Sequence, residues 1–233
     1  MANKLKCRKD LLKIVEDINS SFALTDMHFE LASDERAEEM VDFLREHFFA
    51  DETLSKSVGL VMNECRRKLL LERYKDNLSL LLVSDVTKQI IGVRTIKIIE
   101  AGGNTLNLDS IEDERIRKVL TFLRHKQSEM DVYKYFGVDI AVNFINLGIH
   151  RDFRNRGLGS ILMKAAMLYV KDIGLDPVCI TGEGTSNYSQ KIYEKFGFEM
   201  MYCVNYEDYK VDGEVVFKNT GDNKSCKFYA KKL

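Results

Sequence analysis

The sequence predicts one α/β domain built on a mixed sheet covered by helices. Three observations predict it. Short apolar runs rich in β-branched residues alternate with stretches of helical apolar spacing. Pairs of strand-like segments near both ends of the chain read as hairpins. In the middle, a buried-strand pattern at 142–149 runs into a basic loop with two glycines and then an amphipathic helix. No repeat or Pro/Gly/Ser-rich linker divides the 233 residues, whose one proline is Pro177, so a single domain is expected.

Taken in order, residues 5–19 have Leu11, Leu12, Ile14, Val15 and Ile18 on one side and predict a short helix packed outside the main fold. His28–Leu31 predicts the first strand. Ser33 stands as an N-cap, with Asp34 and Glu35 where a helix dipole favours acids. The helix it starts carries Ala37, Met40, Val41 and Leu44 and runs into His47-Phe48-Phe49. A second helix is predicted over 54–74. Leu78–Ser84 and Gln89–Glu100 predict an antiparallel hairpin through a polar turn. Gly102-Gly103-Asn104 breaks the chain, and one charged helix is predicted from 110 to 135.

The central strand, the glycine loop and a helix over 157–171 come next. Val178–Thr181 after Pro177 predicts a short strand, and Gly182 and Gly184 loosen its connection to a helix at 187–195. Gly197 stands where a C-terminal cap is favoured. Phe198–Tyr206 and Lys224–Lys232 predict the last two strands, joined by a hairpin through Asp212-Gly213.

Composition excludes several classes of function. Hydrophobic residues are 45%, charged residues 30% and the formal net charge is −1, so no basic field argues for nucleic acid. No apolar run approaches the ~18 residues of a membrane helix. The basic start lacks an apolar signal-peptide core. Five cysteines (7, 65, 179, 203, 226) lack metal-type pairing, which predicts free thiols, a cytoplasmic setting and no metal site.

The loop Arg154-Asn155-Arg156-Gly157-Leu158-Gly159-Ser160 carries the first chemical signal. Gly157 and Gly159 let the backbone approach a ligand, and the new helix offers unpaired N–H groups. Arg154 and Arg156 add positive charge, so the combination predicts a phosphate or pyrophosphate site. A solvated basic turn capping a helix is the alternative. Neither Gly-x-x-x-x-Gly-Lys-Ser/Thr nor a full Gly-x-Gly-x-x-Gly is present.

Three further features bear on chemistry. In Phe48-Phe49-Ala50-Asp51-Glu52, a carboxylate beside apolar rings is a candidate general base; a solvated acidic turn is the alternative. Ser189 and Tyr193 stand four apart on one helix face, and either hydroxyl could donate a proton; Tyr193 could equally be core. His150 abuts the glycine loop without a partner at ligand spacing and reads as structural.

These motifs carry a resemblance. Arg154-x-x-Gly157-x-Gly159 after a strand looks like the acetyl-coenzyme A signature, Gln/Arg-x-x-Gly-x-Gly/Ala, of the GNAT superfamily of N-acetyltransferases. Tyr193-Glu194-Lys195-Phe196-Gly197-Phe198 resembles the Tyr-Glu-Lys-x-Gly-Phe ending common there. Ile149–Arg154 looks like the corresponding segment of vertebrate serotonin N-acetyltransferase. Phe48-Phe49-Ala50-Asp51-Glu52 is similar to the Phe-Phe-x-Asp-Glu-Pro segment of insect arylalkylamine N-acetyltransferases. The resemblance implies a mostly antiparallel seven-stranded sheet with a central parallel pair and helices on both faces. It covers residues 28–233 and leaves 1–27 as an N-terminal helical extension.

What the resemblance implies for the site is specific. Glu52 matches the catalytic base of the insect enzymes. Ser189 matches one of two serines proposed to assist proton transfer, and Thr185 stands near the other. Tyr193 matches the general acid of many other members. Leu147, Gly148 and Ile149 occupy the strand beside the pantetheine arm, residues 154–160 match the pyrophosphate loop, and Ser186 adjoins the coenzyme. Two departures stand out. Thr53 replaces the proline after Asp-Glu, and the paired relay histidines of the vertebrate enzyme fall at Asn143 and Ile145.

The expected function is acetyl transfer from acetyl-CoA to the primary amine of a small arylalkylamine-like substrate, directly within a ternary complex. Glu52 takes the proton, a backbone N–H near Ile149 meets the oxyanion, and Tyr193 or Ser189 protonates the thiolate. The alternatives are a polyamine, agmatine or protein-amine acetyltransferase on the same scaffold, and a non-catalytic acetyl-CoA-binding module. The expected partner is a small amine, with no nucleic acid or membrane, and the protein is expected to be a monomer.

Overall fold

The computed structural model of the chain describes residues 4–103, 106–129, 131–176 and 178–233. Pro177, Asn104 and Met1–Asn3 lie outside the described residues. In chain order the strands are β1 (Met27–Leu31), β2 (Leu80–Ser84), β3 (Ile90–Glu100), β4 (Ile140–Ile149), β5 (Cys179–Gly184), β6 (Glu199–Asn205), β7 (Lys210–Val211), β8 (Glu214–Val215) and β9 (Ser225–Lys232). The helices are α1 (Arg8–Ser21), α2 (Ala37–Leu44), α3 (Thr53–Ser57), α4 (Glu64–Tyr74), α5 (Glu114–Ser128), α6 (Val132–Phe136), α7 (Leu158–Asp172) and α8 (Asn187–Lys195).

Seven strands form one sheet in the order β1-β2-β3-β4-β5-β9-β6. Only β4 and β5 run parallel; every other neighbouring pair is antiparallel. The mixed α/β architecture and its central parallel pair are as the sequence and its resemblance imply.

Both faces of this sheet are covered, which explains why β2 is apolar at four successive positions. Side chains alternate between faces along a strand. Leu80 and Leu82 join α1, α7 and α8 in one core, while Leu81 and Val83 join α2 and α4 in another. A third cluster packs α3 and α5 against β6 and β9.

Four local expectations need correction. Helix α1 does not sit outside the fold, because Leu11, Ile14, Val15 and Ile18 belong to the main core. Asn19 also hydrogen-bonds both backbone polar groups of Phe29 in β1. The 54–74 stretch is two helices rather than one. Gly59 takes the left-handed conformation at φ 63°, and Asn63 caps α4 by accepting from Arg66 N–H. The 110–135 stretch likewise divides into α5 and α6, with Asp131 capping the second. Asp212-Gly213 does make a hairpin, both residues having positive φ. It joins the small pair β7–β8, however, and not β6 to β9 directly.

The exit of α2 sets the position of two acidic residues. A π-helical turn over Arg45–Phe49 extends the helix and delivers Asp51 and Glu52 to the end of β4.

Candidate active site

The site begins where β4 and β5 part. They pair from Ala141–Phe144 against Cys179–Gly182, and β4 then continues to Ile149 paired with β3 but not with β5. A bulge explains the divergence: Arg94 of β3 lies opposite Leu147, but Ile96 lies opposite Phe144. Asn146 anchors the bulge, its N–H donating to Thr95 Oγ1 and its Oδ1 accepting from Tyr74 and Thr95. His150 N–H bonds to Ile91 of β3. Backbone groups alternate along a strand, so the N–H groups of Ile149 and Leu147 point the other way, into the fork.

The glycine loop closes one end of the fork. Asn155 and Gly157 are left-handed, at φ 61° and 77°, and α7 starts directly after them. The N–H groups of residues 155–159 have no hydrogen-bond partner among the described residues; Ser160 and Ile161 turn back to Gly157 O. Successive free N–H groups in such a turn make an anion-binding concavity. A Cβ on Gly157 would have nothing within 4 Å, so the space over the loop is open.

The two loop arginines differ in role. Arg154 is anchored to protein through all three guanidinium nitrogens: Nε donates to Ile149 O, Nη1 to Asp51 and Nη2 to His47 O. It clamps the loop to the exit of α2 instead of presenting free charge. Burial tends to raise the Asp51 pKa, but the Arg154 hydrogen bond and the Arg151 charge outweigh it and hold the carboxyl below its ordinary value. Arg156 is exposed, over the Phe153 ring at 5.2 Å, and supplies the available guanidinium.

Glu52 is the N-cap of α3. Its Oε1 accepts from Leu54 N–H and the Thr185 hydroxyl, both at 2.9 Å. Its Oε2 accepts from the Ser55 N–H and hydroxyl, both at 2.7 Å. Two backbone donors therefore fix the carboxylate although Thr53 stands where the insect motif has proline. Behind it, Arg66 lies flat on Phe49 at 3.6 Å and donates to Ser55 Oγ. Burial pulls this guanidinium down to about 10, and Glu52 pulls the other way.

Tyr193 and Ser189 are placed differently. Ser189 is held in a reciprocal capping box with Ser186 at the start of α8, and its hydroxyl also donates to Ser186 O. Tyr193 is 3% exposed and stacked on Tyr229. Its hydroxyl donates to the carbonyl of Phe144, the last residue of β4 in register with β5, and accepts from Arg94. Burial raises its pKa, with Arg94 acting to lower it.

His150 caps the turn after β4 by accepting from Asp152 N–H. It does have a neighbour: the His47 ring lies 3.9 Å away. Burial and the charges of His150 and Arg151 lower the His47 pKa.

One cavity of about 1270 Å³ joins these parts. The glycine loop, Gly148, Ile149, Glu52, Thr185, Ser189 and Tyr193 all line it. Its lining also includes apolar residues from α3, the segment after it and α5, among them Leu54, Leu60, Ile116, Val119 and Leu123. Glu72, Glu100 and Glu183 share the lining with Arg66, Arg73, Lys97 and Arg124, so the lining mixes signs. Among the described residues no group of His, Cys, Asp and Glu could hold a metal ion.

Sequence reasoning misses Arg94, Arg66 and His47. Isolated arginines in strand and helix patterns carry no spacing signal, and each gains its role only through contacts distant in sequence.

The fork has a packing requirement of its own. A Cβ on Gly182 would stand 2.1 Å from Tyr193 Oη and 2.9 Å from Phe144 O. Gly182→Ala is expected to cost on the order of 1–3 kcal/mol or more, lowering the melting temperature by several degrees. Melting at the wild-type temperature would contradict this packing.

The fold is that of GNAT-type acyltransferases, and part of the chain matches a GNAT domain model. Residues 112–200, from the start of α5 past the glycine loop into β6, match the family model described as Acetyltransferase (GNAT) domain. Among solved structures, the chain is similar to arylalkylamine N-acetyltransferase 2 from Aedes aegypti. That pair is 27% identical with a TM-score of 0.82, over 89% of this chain and 99% of that one. It is also similar in fold to a mosquito arylalkylamine N-acetyltransferase like 5b, at 22% identity and TM-score 0.79, over 89% and 100%. A Drosophila melanogaster polyamine N-acetyltransferase, described as forming N-acetylagmatine, shares the fold at 18% identity and TM-score 0.78, over 89% and 100%. No helix among the described residues is long and apolar enough to cross a membrane.

Proposed function

We propose that the protein transfers the acetyl group of acetyl-CoA directly to the primary amine of a small arylalkylamine-like substrate. The observation that carries this reading is that one cavity is lined at once by a loop of free N–H groups, a fixed carboxylate and a set of apolar side chains. Residues 28–233 would form the catalytic domain, with residues 1–27 added to it.

The N–H groups of Asn155 through Gly159, with Arg156, would hold the pyrophosphate. Leu147 and Ile149 would hydrogen-bond the pantetheine arm in the fork as a further strand would. The acceptor amine enters as an ammonium, since a Lys-like amine has a pKa of about 10.4. Glu52 removes its proton directly, through water or through Thr185. The two backbone donors stay in place while the Thr185 and Ser55 hydroxyls can rotate away. The Ile149 N–H stabilises the oxyanion that develops on the thioester carbonyl. Tyr193, on the floor of the fork, protonates the leaving thiolate. Ser186 and Ser189 adjoin this path, with Ser189 as the second hydroxyl.

The polyamine reading is supported by the fold shared with the Drosophila enzyme; a polycation would meet Glu72, Glu100 and Glu183, but also Arg66, Arg73, Lys97 and Arg124. Thiol release with acetyl-CoA should separate the readings across tyramine, dopamine, serotonin, agmatine, spermidine and a lysine peptide. The arylalkylamines are expected to give the highest kcat/KM. Higher values for spermidine or agmatine would transfer the assignment to polyamines. No release with any amine would leave a binding module.

A further inference from the structure

Among the described residues, Arg94 has the largest fully buried side chain, at 1% exposure. Its Nε has no hydrogen-bond partner, and among the described residues no carboxylate forms an ion pair with it. Three contacts hold the guanidinium: it lies over the Phe144 ring at 4.2 Å and the Tyr193 ring at 5.6 Å, and Nη2 donates to Tyr193 Oη at 2.9 Å. A buried cation without a counter-ion is costly to keep. This one stands opposite Leu147, at the bulge where β4 leaves β5, and lines the same cavity as Glu52.

The arrangement is oriented. With Nη2 donating to the phenol oxygen, the phenol proton is directed away from Arg94, toward Phe144 O at the root of the fork. A sulfur atom entering the fork would compete with that carbonyl for the same proton. Loss of the proton would leave a phenolate in contact with a guanidinium, which completes the missing ion pair. Glu183 acts on Tyr193 in the opposite sense, disfavouring the phenolate.

We propose that Arg94 is the positioning residue that aims the Tyr193 hydroxyl at the leaving thiolate and stabilises the phenolate it leaves behind. In this step the Tyr193 O–H bond breaks and an S–H bond forms on coenzyme A. One amine proton leaves through Glu52 before attack; the second, lost from the nitrogen as the tetrahedral intermediate collapses, passes through cavity water to the Tyr193 phenolate. The inference rests on the acetyl-transfer reading given above and on Tyr193 as proton donor.

A double-mutant cycle tests it, with kcat, coenzyme A affinity and melting temperature measured for each protein. Arg94→Met is expected to lower kcat about tenfold with coenzyme A affinity retained. Its melting temperature should hold or rise, because an apolar side chain replaces an uncompensated buried charge. Arg94→Lys, which keeps the charge, should recover part of the loss. In the Tyr193→Phe background neither substitution should lower kcat further. An equal fall in both backgrounds, or a lower melting temperature with kcat unchanged, would overturn the proposal. If Arg94→Met does not fold, the Arg94→Lys cycle decides: a loss that persists in Tyr193→Phe overturns it, and one that vanishes supports it. Tyr193→Phe with undiminished kcat would instead overturn the proton-donor reading, and this proposal with it.

Discussion

Glu52→Gln is expected to lower kcat by about 10²–10⁴-fold at neutral pH with coenzyme binding intact, the usual worth of a general base. Glutamine keeps the shape of the side chain and can still cap α3 through its carbonyl, but it cannot take the amine's proton. Its single carbonyl oxygen can accept from only one of Leu54 N–H and Ser55 N–H, so its NH₂ faces the other backbone N–H together with the Thr185 or Ser55 hydroxyl. The hydroxyl can reorient to accept, and the one backbone hydrogen bond lost costs about 1 kcal/mol, so the protein should fold. Raising the pH supplies neutral amine, and the variant should recover toward about pH 9–10. A Glu52→Gln protein with wild-type turnover at pH 7 would remove the assignment. Asp51 is a control of a different kind. It binds Arg154 and Arg151, so Asp51→Asn should loosen the loop, raising KM for acetyl-CoA with a much smaller effect on kcat.

Gly157→Val should cost the protein most of its coenzyme A affinity, at least tenfold or about 1.4 kcal/mol. Two effects act together. Gly157 has φ 77°, where a β-branched residue is strained. The open space above it, with nothing within 4 Å of a Cβ, is where the loop amides would meet a pyrophosphate. Gly159→Ala is the contrasting case, since a Cβ there meets its first neighbour at 3.5 Å. That variant should bind nearly as wild type does. Calorimetry with folded Gly157→Val showing unchanged coenzyme A affinity would rule the loop out as the site.

How much of this is legible in the sequence depends on the range of the interaction. The strand–loop–helix unit from β4 to α7 is legible because periodicity and glycine are local signals. The helix at 187–195 and the cap at Gly197 are legible for the same reason. The break at residues 58–63 is not. Val58, Val61 and Met62 continue a helical spacing, yet Val61 is exposed and Gly59 turns the chain. The place of α1 is hidden because its apolar side gives no address; only contacts with β1 and α7 supply one. In the site, motifs point to Glu52, Ser189 and Tyr193, but the partners that define their chemistry lie far off in sequence. Thr185 reaches Glu52 across 133 positions, and Arg94 reaches Tyr193 across 99. The sequence presents Arg154 as a source of free charge, whereas three protein acceptors hold it.

The central claim is that an amine and acetyl-CoA react directly in the one cavity. The most direct measurement mixes the protein with acetyl-CoA and tyramine and monitors free thiol and N-acetyltyramine together over the first turnovers. The predicted result is equal amounts of both from the start, with no thiol released and no acetyl group on the protein when tyramine is omitted. Thiol release or protein acetylation in the absence of amine, or thiol without the matching amide, would contradict the account.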